Sequence, residues 1–80
     1  MRIQAEISIY ALKTESLSEA IEEFCETAEA SGVEITGKKM STLIAGESEV
    51  LFEAVKMGFE KIAERYKVVM DAKFSNACPE

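Results

Sequence analysis

Catalysis needs an acid/base pair or an activated nucleophile. The plausible candidates that this chain sets on an open strand surface are Glu6, Asp71 and Lys73. There is no histidine, so the commonest general base and the commonest transition-metal ligand are both missing. The two cysteines, Cys25 and Cys78, lie far apart in the sequence, and two isolated thiols cannot complete a zinc or iron–sulfur site within one chain. Neither catalysis nor a metal centre is expected, which leaves binding as the class of function to explain.

The elements that position these side chains follow from the hydrophobic period, which changes from 2 to 3.6 and back, twice. Arg2 to Tyr10 alternates, with Ile3, Ala5, Ile7 and Ile9 on one face and Arg2, Gln4, Glu6, Ser8 and Tyr10 on the other. That is a strand with one buried and one open face. From Ser16 the spacing is helical: Leu17, Ile21, Phe24 and Ala28 form a stripe backed by Ala20 and Cys25, Ser16 with Glu19 reads as a capping box, and Gly32 as the stop. Val33 to Lys39 and Met40 to Ala45 read as two short strands turning at Gly37, Lys38 and Lys39. Ser48 is the expected cap of a second helix, whose stripe is Leu51, Ala54, Val55, Gly58, Ile62 and Tyr66, widened by Phe52 and Phe59. Lys67 to Ser75 alternates again, Val68, Met70, Ala72 and Phe74 against Val69, Asp71, Lys73 and Ser75, and Pro79 ends any pairing.

Strand, helix, strand, strand, helix, strand is a split pair of βαβ units. The expected fold is therefore α+β: a ferredoxin-like βαββαβ sandwich in which two helices cover one face of a four-stranded antiparallel sheet. The 80 residues form one domain without a linker or low-complexity tract, and so small a core gains from oligomerisation. Since two helices cover only one face, the other must meet water, a ligand or a second subunit.

Gly58, on the buried stripe, costs about 1 kcal/mol relative to Ala, and is expected to let the helix approach its neighbours closely; the alternative is room for a ligand between helices and sheet. Met40, Met57 and Met70 read as core fillers first and pocket walls second.

Composition removes several partners. Nine basic residues against fifteen acidic give a formal net charge of −6 with no basic cluster, which is unsuited to a phosphate backbone, so no nucleic acid is expected. The acidic run Glu19, Glu22, Glu23, Glu26 and Glu29 reads as the solvated face of the first helix. No apolar run approaches the roughly 20 residues of a membrane span. A start in a strand rather than a leader, together with thiols expected to be reduced, points to the cytoplasm. The loop after the first strand excludes other users of this topology. Ala11-Leu12-Lys13-Thr14 holds neither the CxxC of heavy-metal chaperones nor the Gly- and Arg-containing phosphate loop of acylphosphatases. Where RNA-recognition motifs set stacking aromatics on their central strands, the first strand offers only Tyr10 to the open face, and the basic residues expected beside it are missing.

Three segments carry a resemblance that covers nearly the whole chain. Ile7-Ser8-Ile9-Tyr10-Ala11-Leu12, Ser41-Thr42-Leu43-Ile44-Ala45-Gly46, and Val68-Val69-Met70-Asp71-Ala72-Lys73-Phe74-Ser75 followed by Ala77-Cys78-Pro79 resemble, in order and spacing, the YkoF-type proteins. These bind thiamine and its hydroxymethylpyrimidine precursor within a thiamine-binding-like superfamily of ferredoxin-like topology. Glu49 to Lys56 of the second helix also fits. The type member carries two such repeats in one polypeptide, so the resemblance implies that single copies associate as a homo-oligomer, a dimer or tetramer. Tyr10-Ala11-Leu12 departs from the family pattern, which more often has proline after the tyrosine.

The implied ligand, a cationic thiazolium joined to an aminopyrimidine, requires acceptors, a donor for a ring nitrogen and apolar walls. The residues carried over for it are Ser8, Ser41, Thr42 and Ser75 as hydroxyl contacts, Asp71 (or Glu6) as acceptor and counter-charge, and Tyr10 as a stacking ring. No other cofactor and no metal is implied. The plain alternative is that these residues are only the polar face of a sheet, Asp71 and Lys73 forming a surface ion pair worth about 0 to 1 kcal/mol. The competing function is a regulatory or assembly module like the ACT-type domains, whose open face joins subunits and whose ligand, if any, is an amino acid.

Overall fold

The computed structural model describes residues 1–13, 15, 17–37 and 41–77. It has strands β1 (Arg2–Leu12), β2 (Glu34–Thr36), β3 (Ser41–Glu47) and β4 (Lys67–Ser75), and helices α1 (Leu17–Ala30) and α2 (Ser48–Ala63). The sheet runs β2-β3-β1-β4, every neighbouring pair antiparallel. The βαββαβ element order and this sheet order together make the expected ferredoxin-like sandwich.

The core is built from the period-2 and period-3.6 stripes. Ile3, Ala5, Ile7 and Ile9 of β1 and Ile44 of β3 meet Ile21, Phe24, Cys25 and Ala28 of α1 and Leu51, Ala54 and Ile62 of α2. Removing one such large side chain from water stabilises the fold by about 1.5–3 kcal/mol. Gly58 of α2 packs against Phe24 of α1. A Cβ there would stand 2.6 Å from Cδ1 and Cε1 of the Phe24 ring, so the glycine serves close packing and leaves no room for a ligand beside it.

Local signals differ from expectation at several ends. Gly32 stops α1 as expected, at φ +103°, with the Ser31 and Gly32 amides donating to Ala28 and Glu29 carbonyls. β2 is only Glu34–Thr36, because Gly37 at φ +68° breaks the extended run. β3 continues past Ala45 to Glu47, since Gly46 and Glu47 still pair with Ile3 and Arg2. Ser48 is the first residue of α2 rather than its cap. Glu47 occupies the cap position with extended backbone and no side-chain cap bond, and the Ser48 amide instead donates to the Met1 carbonyl at 2.8 Å.

The helix ends at Ala63, which leaves Tyr66 half-buried beyond it. Met57 is exposed rather than a core filler, and the Phe52 and Phe59 flank is exposed too, Phe52 lying against Phe74 with ring centroids 4.7 Å apart. The Ser16 cap, the Lys38-Lys39 turn, Met40, Cys78 and Pro79 lie outside the described residues. No helix among the described residues is long and apolar enough to cross a membrane.

Candidate functional site

Antiparallel register decides which candidate side chains share a face, because directly opposite residues point the same way with Cβ atoms about 4.5–5.5 Å apart. Ser8 of β1 stands between Ser41 of β3 and Asp71 of β4. The three form one polar row across three strands, on the face that carries no helix. One row along, Tyr10 stands opposite Val69, about 7 Å away by strand rise. Four of the six residues therefore converge.

The other two do not. Thr42 pairs with Ile7, which places it on the helix-covered face. It is 2% exposed, with its hydroxyl 4.0 Å from the Cys25 thiol. Its neighbour Ser41 is exposed to solvent. Ser75 shares the open face, but four residues from Asp71 along β4 it lies about 13 Å away. It pairs with Gln4, and its hydroxyl accepts from the Ala77 amide at 2.9 Å. Between the two rows, Glu6 of β1 faces Lys73, so the lysine's nearest cross-strand carboxylate is Glu6 rather than Asp71.

At the end of the sheet where α1 begins, Ser8, Ile9, Tyr10, Leu17 and Ser41 line a hollow of about 250 Å³. Ser8, Ser41 and Tyr10, 51% exposed, belong to the open face and Ile9 and Leu17 to the helix-covered side, so the hollow lies at the end of the sheet where the two faces meet, with hydroxyls and a ring on one side and apolar residues on the other. Sequence reasoning did not single out Ile9 and Leu17, because both belong to apolar stripes; their proximity arises from the short β1–α1 connection. The hollow is smaller than the roughly 300–1,000 Å³ of drug-sized sites. Its volume is of the order of one aromatic ring, and Asp71 is the cross-strand neighbour of one of its lining residues, Ser8.

A second, more polar cleft of about 380 Å³ lies between the helices, lined by Glu19, Glu22, Glu23, Glu26, Thr27, Lys61 and Arg65. Arg65 reaches Glu23 at 3.1 Å across it, while Glu19, Glu22, Glu26 and Glu29 are exposed. This is the solvated acidic face expected from the sequence. Among the described residues no group of three or more His, Cys, Asp or Glu could hold a metal ion.

The arrangement of strands and helices is shared with several solved structures. A hypothetical protein of Methanocaldococcus jannascii superposes with a TM-score of 0.85 at 21% identity, over 99% of this chain and 84% of that one. A domain of unknown function from Bacillus cereus gives 0.77 at 22%, over 94% and 75%. A protein of Thermotoga maritima provisionally assigned to thiamine biosynthesis or salvage gives 0.77 at 18%, over 92% and 82%. At these identities the likeness is one of fold. No curated protein sequence matches significantly. The segments that form the open-face row and its supporting core lie within a match to the YKOF-related family model over residues 2–80, and the chain belongs to that family.

Proposed function

We propose that the protein is a non-enzymatic binding protein for thiamine or its hydroxymethylpyrimidine moiety, acting as a cytoplasmic homo-oligomer in thiamine salvage, transport or sensing. The observation that carries this reading is the hollow in which Ser8, Tyr10 and Ser41 meet the apolar walls of Ile9 and Leu17, with Asp71 next to Ser8 in the same row. A one-ring hollow suits the aminopyrimidine: hydroxyls exchange hydrogen bonds with its ring nitrogens and amino group, and Tyr10 stacks on it. Asp71 then faces the part that projects, where thiamine carries its positive charge. Family membership and the fold shared with the T. maritima protein support the ligand class. The net charge of −6 favours the unphosphorylated compounds over phosphate esters.

Isothermal titration calorimetry with thiamine, hydroxymethylpyrimidine and thiamine diphosphate tests it. Saturable micromolar binding of the first two is expected, weaker for the third. Ser41→Ala and Tyr10→Ala should each weaken binding about tenfold, the equivalent of one lost hydrogen bond or stacking contact. Silence with all three from a folded protein overturns the proposal. A second reading, an ACT-like assembly or regulatory module, is favoured by the exposed Leu43 and Val69 on the same face. Adding amino acids to the ligand panel separates the two.

A further inference from the structure

Among the described residues three take a positive φ: Gly32 at +103°, Gly37 at +68° and Lys13 at +58°. The two glycines have no Cβ to clash there, and they follow the ends of α1 and β2. Lys13 follows the last residue of β1 and carries a Cβ, so its left-handed backbone is strained. Lysine also lacks the short polar side chain with which asparagine offsets that strain by a local hydrogen bond. Its side chain is exposed, so the conformation is held by the path of the chain and not by packing of the side chain.

That path joins the two sides of the hollow. Ser8, Ile9 and Tyr10 line it from β1, before Lys13, and Leu17, the first residue of α1, lines it after. Leu12 still pairs with Lys67 in the sheet, and five residues later the chain is back beside the end of β1 as a helix. Four extended residues would instead carry it about 13 Å beyond the sheet. A left-handed residue at the point of exit turns it back. Strained residues persist where the surrounding structure over-determines them, and they gather at sites that clamp ligands.

We infer that Lys13 is a positioning residue: its left-handed backbone sets Leu17 across the hollow from Ser8 and Tyr10 and so fixes the apolar side of the hollow. The consequence for affinity rests on the proposed function, while the placement of Leu17 does not. Thiamine and hydroxymethylpyrimidine share the pyrimidine ring, so a displaced Leu17 weakens both by the same factor. A role of Lys13 through its charge would separate them, because only thiamine is cationic. Lys13→Gly and Lys13→Asn tolerate a left-handed backbone and keep the hollow although they remove the ammonium group. A β-branched valine resists that backbone and displaces the turn.

Amide correlation spectra of the ligand-free full chain test the placement. Lys13→Val should shift the resonances of Ile9, Tyr10 and Leu17 and leave the rest of a dispersed spectrum in place, while Lys13→Gly and Lys13→Asn should leave those three where the parent has them. Calorimetry tests the consequence: Lys13→Val should weaken thiamine and hydroxymethylpyrimidine alike by about tenfold, and the glycine and asparagine chains should bind within about twofold of the parent. Lys13→Ala, a milder form of the same change, serves if the valine chain does not fold. A valine chain with parental spectrum and affinities, a glycine chain as weak as the valine one, or unequal losses for the two compounds would each overturn the inference. A parent that binds neither compound overturns the proposed function instead, and the spectra still decide whether Lys13 places Leu17.

Discussion

Ser41 and Thr42 are adjacent in the chain and belong to different worlds. Ser41 stands in a solvent-facing row with Ser8 and Asp71, while Thr42 is sealed beneath the helices against Cys25. One residue of chain separates a solvent-facing hydroxyl from one buried in the core. The two faces of the sheet should therefore respond to substitution in opposite ways: the covered face in stability and the open face in binding.

The largest effect is expected deepest on the covered side. Phe24→Ala should cost about 3–5 kcal/mol by urea denaturation. Gly58→Ala, which pushes a methyl into the same ring at 2.6 Å, should cost about 1–3 kcal/mol from overpacking despite the better helix propensity of alanine. A neutral Gly58→Ala would mean that the helices can separate, and would weaken the contrast between a rigid covered face and a free open one.

The sharpest comparison is Thr42→Val beside Ser41→Ala. The first should leave ligand affinity unchanged and shift stability by about 1 kcal/mol, since it removes one weak buried hydrogen bond while keeping the shape. The second should leave stability within about 0.5 kcal/mol while it weakens binding. If Thr42→Val abolished binding in a stable protein, the division between faces would be wrong. The smallest effect belongs to the rim where the faces meet. A double-mutant cycle on Phe52 and Phe74, whose rings stand 4.7 Å apart, should give a coupling of about 0.5–1.5 kcal/mol.

Much of this division was legible in the sequence. The alternation of β1 and β4 specified their faces and, for β4, both ends: Ile3, Ala5, Ile7 and Ile9 of β1 and Val68, Met70, Ala72 and Phe74 of β4 each fall on one parity, with Val69 the one apolar residue of β4 on the other. The same rule applied to β3 separates Ser41 from Thr42, since Thr42 shares parity with the buried Ile44. Treating the Ser-Thr pair as a unit, as the family resemblance suggests, hides that separation. The ends of β2 and β3 were less legible: Gly37 and Gly46 look equally like breakers, yet only Gly37 takes a positive φ. The start of α2 was unreadable locally, because the Ser48 amide is satisfied by a carbonyl from the far end of the sequence, that of Met1. Nor does any local pattern reveal the hollow, whose apolar walls are ordinary members of the β1 and α1 stripes.

Phe24 packed against Gly58 has a consequence for exchange kinetics. With the space beside Gly58 filled by the Phe24 ring, a ligand in the proposed site would be held at the end of the sheet by Ser8, Tyr10 and Ser41 rather than between the helices. Association would then proceed at the pace of ordinary diffusional encounter, and the lifetime of the complex would depend on a few hydrogen bonds and one stacked ring. On the proposed function, a site of this kind is suited to passing its ligand on quickly rather than to locking it away.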